Sequence, residues 1–554
     1  MKILIIGAVA AGTSAAAKAR RNDENAEITI YEKDRFISYS GCGMPYFIGG
    51  HVGRLEELAP RDPQFFKTKY NVEVLTGHEV LSIDSVKKEL QIKNLESENL
   101  LTDHYDRLIL ATGARSAVPP IQGATKPHVF TLRNMVDMTK ILAFIKTNKP
   151  NEAVIIGTGF IGLELCENLM DIGITVTLIE KLPQVTPGLD ADMAIYVQDH
   201  IESKGVRVIV NADISSIEDN GVRLSGGEEI AADLVIVATG VKPNIELAQN
   251  ANIVLGQTGA IKVNTKMQTS IEEIYACGDC IEHFQLVTGK PVYRPLGSTA
   301  NKTGRIAGDC VTGGTLEFRG ILGTGIFKIF DMAVAQTGLS EREAIAQGIE
   351  TVICHNIKPD KPEYMGGKEM TIKAIADKTS KRIIGAQIVG EAGVDKRIDV
   401  FVTAITFGAK AEDLFHLDLA YAPPFSTTKD PVMYTGMILD NAINKGRQLI
   451  TAVQLDELMR SGEKYNLIDA RVKEQYDKDH IDTASNIPQE NLRQLAETLD
   501  KETTTITYCN KGVTGNAAQN ILLNKGFKKV YNVSGGHKTF SKWKSSRRKH
   551  GFDE

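Results

Sequence analysis

Lys2–Gly7 is a short, unbroken apolar run closed by a glycine. Small residues at helical spacing follow it to about Asn22, and a second apolar run, Glu27–Glu32, comes next. Unbroken runs of this length mark strands buried on both faces, as in parallel sheets, and their alternation with helical stretches predicts βαβ units. The pattern returns at Ala153–Ile156, a helix after Gly162, and Thr175–Glu180. After about residue 320, strands near Gly325–Ile329 and Ile383–Ile388 alternate with helices such as Asp395–Phe407, and polar Asp440–Gln448 reads as a linker. In the last hundred or so residues, Asn466–Arg471, Thr505–Tyr508 and Val530–Val533 read as strands, with a helix from about Asn516. The chain is therefore expected to be α/β throughout, with several domains.

Length agrees, since 554 residues exceed what one core supports. Composition is that of a globular protein, 42% hydrophobic and 24% charged, and a net charge of −5 gives no reason to expect nucleic acid or an acidic membrane surface. No charge-free apolar stretch is long enough for a membrane helix. The N-terminal apolar run reads as strand, turn and helix, not as a targeting signal. Seven scattered cysteines are no disulfide framework, and they predict a reducing, cytoplasmic setting.

Two glycine-rich turns punctuate the βαβ units. In Gly157-Thr158-Gly159-Phe160-Ile161-Gly162 the glycines serve a tight turn, close approach of backbone to a pyrophosphate, and helix-on-strand packing. Glu180 ends the next strand, 18 residues past Gly162, where it would pair with a ribose 2′-hydroxyl and repel a 2′-phosphate. The first copy, Gly7-Ala8-Val9-Ala10-Ala11-Gly12, has Val9 at the middle glycine, and Glu32 is its acid. Each unit leads to an Ala-Thr-Gly strand end, at Thr112-Gly113 and at Gly240, and a further strand ends on Gly278-Asp279.

Two cysteines carry candidate chemistry. Cys42 lies in Ser40-Gly41-Cys42-Gly43-Met44-Pro45; proline suits a first helical turn, which puts Cys42 at a helix N-terminus and predicts a lowered thiol pKa. Cys509 follows a strand directly and opens the loop Cys509-Asn510-Lys511-Gly512-Val513-Thr514, whose N–H groups would surround an anionic sulfur. Cys277 and Cys280 flank Gly278-Asp279, and no further Cys pair or His cluster completes a metal site. The basic run Lys542–Lys549 reads as a solvated face.

In this order the glycine turns, Ala-Thr-Gly ends and Gly-Asp run resemble the pyridine nucleotide-disulfide oxidoreductase superfamily over about residues 1–445, and the remainder resembles a rhodanese domain. The resemblance implies a split FAD-binding domain (1–115 and 245–318), an NAD(P)H-binding domain (116–244), a dimerisation domain (319–445) and a rhodanese domain (449–554). FAD would be held by Gly7, Gly12, Glu32, Lys33, Thr112, Gly113, Gly278 and Asp279, the last on the ribityl chain. NADH, favoured over NADPH by Glu180, would be held by Gly157, Gly159, Gly162, Glu180 and Gly240.

Phe47 stands where disulfide-forming members have a second cysteine, so the chain resembles the single-cysteine branch, the coenzyme A-disulfide and persulfide reductases with the NADH oxidases and peroxidases. Ala10 replaces the histidine of the oxidases, and Tyr364 and Tyr421 match the tyrosine pair of the coenzyme A enzymes, which reaches the cysteine from the other subunit. By the same matching Ser14, Lys18, Arg21, Ser38 and Lys429 would contact coenzyme A. Implied is a homodimer that reduces coenzyme A disulfide, coenzyme A persulfide or polysulfide at Cys42, with Cys509 handling sulfane sulfur. An oxidase or peroxidase cycling Cys42 through sulfenic acid is the alternative enzyme, and a sulfur-binding or sensing protein the alternative of another class. Two departures stand out: Ser40-Gly41 replaces the usual Ala-Asn before the cysteine, and Thr514 replaces the arginine that usually ends the rhodanese loop.

Overall fold

The structure, a computed structural model, describes residues 1–549. It falls into two compact units, Met1–Lys181 with Ala212–Gly323, and Leu182–Asn211 with Thr324 onward.

In the first unit a parallel sheet places Ile274–Ala276, Arg107–Leu110, Lys2–Ile6, Glu27–Glu32 and Glu73–Thr76 side by side in that order. Ile3, Leu4 and Ile5 are fully buried in its central strand, which is why that run carries no polar alternation. Helix Ala10–Asn22 is alanine-rich because another helix, Gly297–Cys310, lies almost against its backbone. A Cβ on Gly304 would stand 2.3 Å from the Ala11 carbonyl oxygen, and one on Gly308 would stand 2.2 Å from that of Ala15. A second parallel sheet sets Thr175–Ile179, Glu152–Ile156, Leu234–Val237 and Val129–Phe130 side by side. In both sheets the glycine turn leaves the carboxyl end of a central strand, where doubly wound sheets bind ligands.

The second unit holds two further sheets. One is antiparallel, in the order Gly325–Ile329, Met332–Gly338, Ile383–Gly390, Glu369–Asp377, Thr351–Pro359. The other is parallel, in the order Leu449–Ile450, Val530–Val533, Thr504–Tyr508, Tyr465–Asp469, Ser485–Asn486. The expected linker starts later than its polarity suggests. Helix Pro431–Asn444 runs through half of it, because Val432, Thr435, Gly436 and Leu439 are buried at helical spacing and outweigh the polar face.

A buried polar network links the two sheets of this unit. Lys373, 1% exposed, contacts Asp192 at 2.8 Å, Glu341 at 2.6 Å and Asp190 at 3.3 Å. Burial by itself would lower its pKa, but the three carboxylates raise it, so it stays charged. His355 Nε2 lies 2.8 Å from Asp192, and the His355 amide donates to Ser534 Oγ at 2.6 Å. The basic run Lys542–Lys549 is not a free solvated face. Lys542 pairs with Asp199 at 2.5 Å, Arg547 with Asp456 at 2.8 Å, and Lys549 with Glu202. No helix among the described residues is long and apolar enough to cross a membrane.

Candidate active sites

The first glycine turn is held by its own acid. Glu32, buried, accepts from the Ala8 amide at 2.8 Å and from the Asp34 amide at 2.9 Å. Gly7 has a φ of +105°, and a Cβ on Gly12 would lie 1.8 Å from the Gly7 oxygen, so no larger residue fits either position. Thr112 and Gly113 close the turn's far side, with Thr112 Oγ1 donating to the Asn244 carbonyl at 2.8 Å. Gly278, at φ +81°, brings Asp279 up beside the helix Ala10–Asn22, where a Cβ on Gly278 would meet Ala11 at 2.8 Å. Asp279 Oδ2 takes a 2.6 Å ion pair from Arg133, whereas its Oδ1 is buried with no hydrogen-bond partner. An orphaned carboxylate oxygen beside a glycine cradle fits the hydroxylated chain of a flavin dinucleotide. Lys33 is exposed.

The second turn repeats the device. Glu180, 7% exposed, accepts from the Thr158 amide at 3.0 Å and from the Thr158 hydroxyl at 2.7 Å. A Cβ on Gly162 would stand 2.2 Å from the Gly157 oxygen, whereas Gly159 and Gly240 have open space where a Cβ would be. The turn is thus packed on the protein side and open on the ligand side, which fits a nicotinamide dinucleotide.

Cys42 sits in a single 3-10 turn, Gly41–Gly43, directly before the five-residue helix Met44–Ile48 with Pro45 in its first turn. The expected lowering of its thiol pKa is not what the structure gives. Although the residue is accessible, the atoms packed behind its sulfur push the thiol up, and the Glu164 carboxylate adds to this while Arg133 opposes it. A helix of five residues has too small a dipole to outweigh burial and that carboxylate. Glu164, on the helix Phe160–Asp171, is itself raised to about 7 by burial and by Glu167.

Ser14, Arg21 and Ser38 line one cavity of about 560 Å³, whose wall runs on to Ser40, two residues before Cys42. Arg61, Arg305 and Phe65 line it too, and Ala10 contributes where the oxidases have histidine. Ser38 holds a left-handed φ of 49°, fixed by its amide donating to the Ala8 carbonyl at 2.8 Å. Lys18 is turned away to Asp309, 3.0 Å distant. Tyr364 and Tyr421, both in the second unit, are 76% and 48% exposed. Lys429 is exposed and stands 5.9 Å from the Tyr434 ring. Sequence reading missed Glu164, Arg133, Arg61 and Arg305. None belongs to a motif, and only packing between distant elements brings them to these sites.

Cys509, 6% exposed, ends the strand Thr504–Tyr508, and the helix Val513–Asn524 starts four residues later. The Cys509 carbonyl accepts from the His537 amide at 2.7 Å, and the Asn510 carbonyl from the Lys538 amide at 3.1 Å. A Cβ on Gly536 would collide with the Cys509 oxygen at 2.2 Å, so glycine is required in that wall. Arg471 clamps the loop from outside, donating to Asp469 Oδ2 at 2.7 Å and to Asn510 Oδ1 at 3.1 Å. Among the described residues, the amides of Asn510, Lys511 and Gly512 donate to no other group, so they remain available to an anionic sulfur. Lys511 is held by an ion pair to Glu369. Cys277 and Cys280 are buried, and the Cys280 thiol is spent on the Leu110 and Cys277 carbonyls at 3.6 and 3.2 Å.

Residues 1–291 match the family model of the pyridine nucleotide-disulphide oxidoreductases, 325–431 that of their dimerisation domain, and 451–545 that of the rhodanese-like domain. An NADH oxidase of Methanocaldococcus jannaschii is 37% identical over 78% of this chain and 97% of its own length. A coenzyme A-dependent NAD(P)H sulfur oxidoreductase of Pyrococcus furiosus is 36% identical over 79% of this chain and 99% of its own. The crystal structure of reduced Bacillus anthracis CoADR-RHD superposes with a TM-score of 0.95 at 37% identity, covering 99% of this chain and 98% of that one.

Proposed function

The chain belongs to the pyridine nucleotide-disulphide oxidoreductase family, and we propose that it reduces coenzyme A persulfide, polysulfide or coenzyme A disulfide through Cys42, with Cys509 as a sulfane-sulfur acceptor. The observation that carries this reading is the cavity lined by Arg21, Arg61 and Arg305, whose wall reaches Ser40, two residues before Cys42. Three guanidinium groups suit a phosphate-rich ligand. The coenzyme A dependence of the Pyrococcus relative supports it.

FAD and a reduced nicotinamide, when bound, supply the electron pair. The chain's part is the thiol and its surroundings. Cys42 as thiolate attacks one sulfur of the disulfide, or the outer sulfur of a persulfide; that S–S bond breaks and a thiolate leaves. In a homodimer the exposed Tyr364 or Tyr421 of a second copy protonates or hydrogen-bonds the departing thiolate. Exposed Phe407 and Phe425 in the same unit favour such pairing. Glu180 favours NADH, because a buried carboxylate repels a 2′-phosphate. A coenzyme A arm carries sulfane sulfur from Cys509 to Cys42, and the free state of all seven cysteines fits a reducing cytoplasm.

A second reading, NADH oxidase, has the Methanocaldococcus relative in its favour and Ala10, in place of an acid–base histidine, against it. The deciding experiment is anaerobic NADH oxidation by the purified holoenzyme with coenzyme A persulfide, then with the disulfide, followed by oxygen uptake with NADH alone. Sulfide release from the persulfide supports the proposal. Turnover that requires oxygen overturns it in favour of the oxidase.

A further inference from the structure

The loop that opens on Cys509 is fastened at its two ends by different elements. Its first end is tied through the Cys509 and Asn510 carbonyls to the last helix, and Arg471 braces the Asn510 side chain. Its second end, Gly512, is held from the strand Val530–Val533. Asn532 Nδ2 donates to the Gly512 carbonyl at 3.0 Å, and the Asn516 amide donates to the same oxygen at 2.9 Å. A carbonyl only accepts, so the nitrogen of the Asn532 amide must be the atom that faces it. Asn532 is 4% exposed, and among the described residues its Oδ1 is buried with no hydrogen-bond partner. The space beside that oxygen is taken, because a Cβ on Gly515 would stand 2.3 Å from it. An apolar side chain of similar size would fill this place without stranding an acceptor, so folding alone does not call for asparagine here. The pinned carbonyl fixes the backbone on either side of it. In a planar trans peptide the N–H points away from the C=O, so the Val513 amide is aimed away from Asn532. Gly512 holds a left-handed φ of 94°, which sets the Lys511–Gly512 peptide relative to the pinned one. Among the described residues, no amide from Asn510 to Val513 donates to another group.

Building on the reading of Cys509 as a sulfur acceptor, we propose that Asn532 is the positioning residue that holds the Gly512 end of the loop in the shape that binds the transferred sulfur. Thiosulfate is the simplest donor with which to follow it. The Cys509 thiolate attacks its outer sulfur, the S–S bond breaks, and the bonding pair leaves with sulfite. The products are the Cys509 persulfide anion and sulfite dianion, with no change in total charge. Cyanide then removes the outer sulfur as thiocyanate and regenerates the thiolate. In the persulfide the negative charge rests on the outer sulfur, and amides without another acceptor are what the loop offers it. Asn532 touches neither that sulfur nor the donor in this scheme. Its effect passes through the peptide planes, so it falls on the transfer of sulfur and not on the binding of the donor.

The test is thiocyanate formation from thiosulfate and cyanide by the full-length holoenzyme. Wild type is compared with Asn532→Ala, which removes the donor, and with Asn532→Ser, which keeps one on a shorter arm. The expected result in Asn532→Ala is a kcat about tenfold lower with the KM for thiosulfate within about twofold, a loss made in the transition state and not in donor binding. Asn532→Ser should recover part of that kcat. Without cyanide, at a fixed ratio of thiosulfate to sulfite, the ratio of persulfide to thiol at Cys509, read by mass spectrometry, should fall about tenfold in Asn532→Ala as well. Both variants should melt well above the assay temperature and keep reduction of coenzyme A disulfide at Cys42. An unchanged kcat and persulfide ratio in Asn532→Ala, or a rise in KM alone, would overturn the positioning role while Cys509 remained a sulfur acceptor. Unfolding of both variants at the assay temperature would make Asn532 a residue of the fold and overturn that role too. No thiocyanate from wild-type protein that still reduces coenzyme A disulfide would overturn the reading of Cys509 and this inference with it.

Discussion

Cys42 and Cys509 both precede a helix, but the chain prepares them in opposite ways. Cys509 is enclosed: its carbonyl and that of Asn510 are tied to the start of the last helix, Arg471 braces the loop, and among the described residues the amides of Asn510, Lys511 and Gly512 have no other acceptor. Cys42 sits on one 3-10 turn before a five-residue helix, accessible, with the Glu164 carboxylate working against its thiolate. The rhodanese loop offers amides with no other acceptor, an arrangement the chain makes by itself. The Cys42 turn is a placement, and on the proposed reading the electrons that make its thiol useful would come from a bound flavin. On that reading the chemistry at Cys509 should survive loss of the flavin, and the chemistry at Cys42 should not.

The sharpest way to break that contrast is to remove each sulfur. Cys42→Ser should abolish NADH-dependent reduction of disulfide and persulfide, a loss of about a thousandfold or more, while thiocyanate formation from thiosulfate continues. Cys509→Ala should do the reverse, removing thiocyanate formation by a similar factor and sparing reduction of coenzyme A disulfide. Stripping the flavin should mimic Cys42→Ser in both assays. If the flavin-free protein also lost thiocyanate formation, the independence of the second site would be gone.

A smaller effect is expected from Ser534→Ala. Ser534 Oγ accepts from the buried His355 amide and lies two residues before Gly536, which forms the wall behind Cys509. Its removal leaves that amide unpaired, a cost of about 1–3 kcal/mol. Thermal unfolding followed by calorimetry should move down by a few degrees, and thiocyanate formation should slow severalfold because the wall loosens. Reduction of coenzyme A disulfide at Cys42 should hold.

The sheets and both glycine turns were legible because each residue there answers a local demand. Buried parallel strands need unbroken apolar runs, and Gly12 and Gly162 have a carbonyl oxygen where a Cβ would go. Lys373, Glu164, Arg61 and Arg305 gave no such signal, since the surroundings of each are set by elements far away in the chain. The linker error has the same cause: Leu439 is buried by tertiary contacts that outvote a polar local composition. So does the thiol error at Cys42, where dipole reasoning used only the neighbouring residues, whereas burial raises the value most and the carboxylate of residue 164 adds to it.

Glu164 offers the finest test of the contrast. Burial and Glu167 raise its pKa to about 7, well above the carboxyl value of about 4.3 in an unfolded chain. Raised folded pKa means that the folded state prefers the neutral form. The resulting penalty is absent below about pH 4, grows between there and about pH 7, and is full above that. Glu164→Gln removes it, so the variant should melt higher than wild type at pH 8.5 and close to it at pH 5. The same charge opposes the Cys42 thiolate, so the variant's thiol should ionise at lower pH. Its alkylation by iodoacetamide near pH 8 should be a few times faster than in wild type, with Cys509 alkylation unaffected. An unchanged Cys42 rate would mean that Glu164 does not set that thiol's reactivity, and the turn itself would have to account for the raised value.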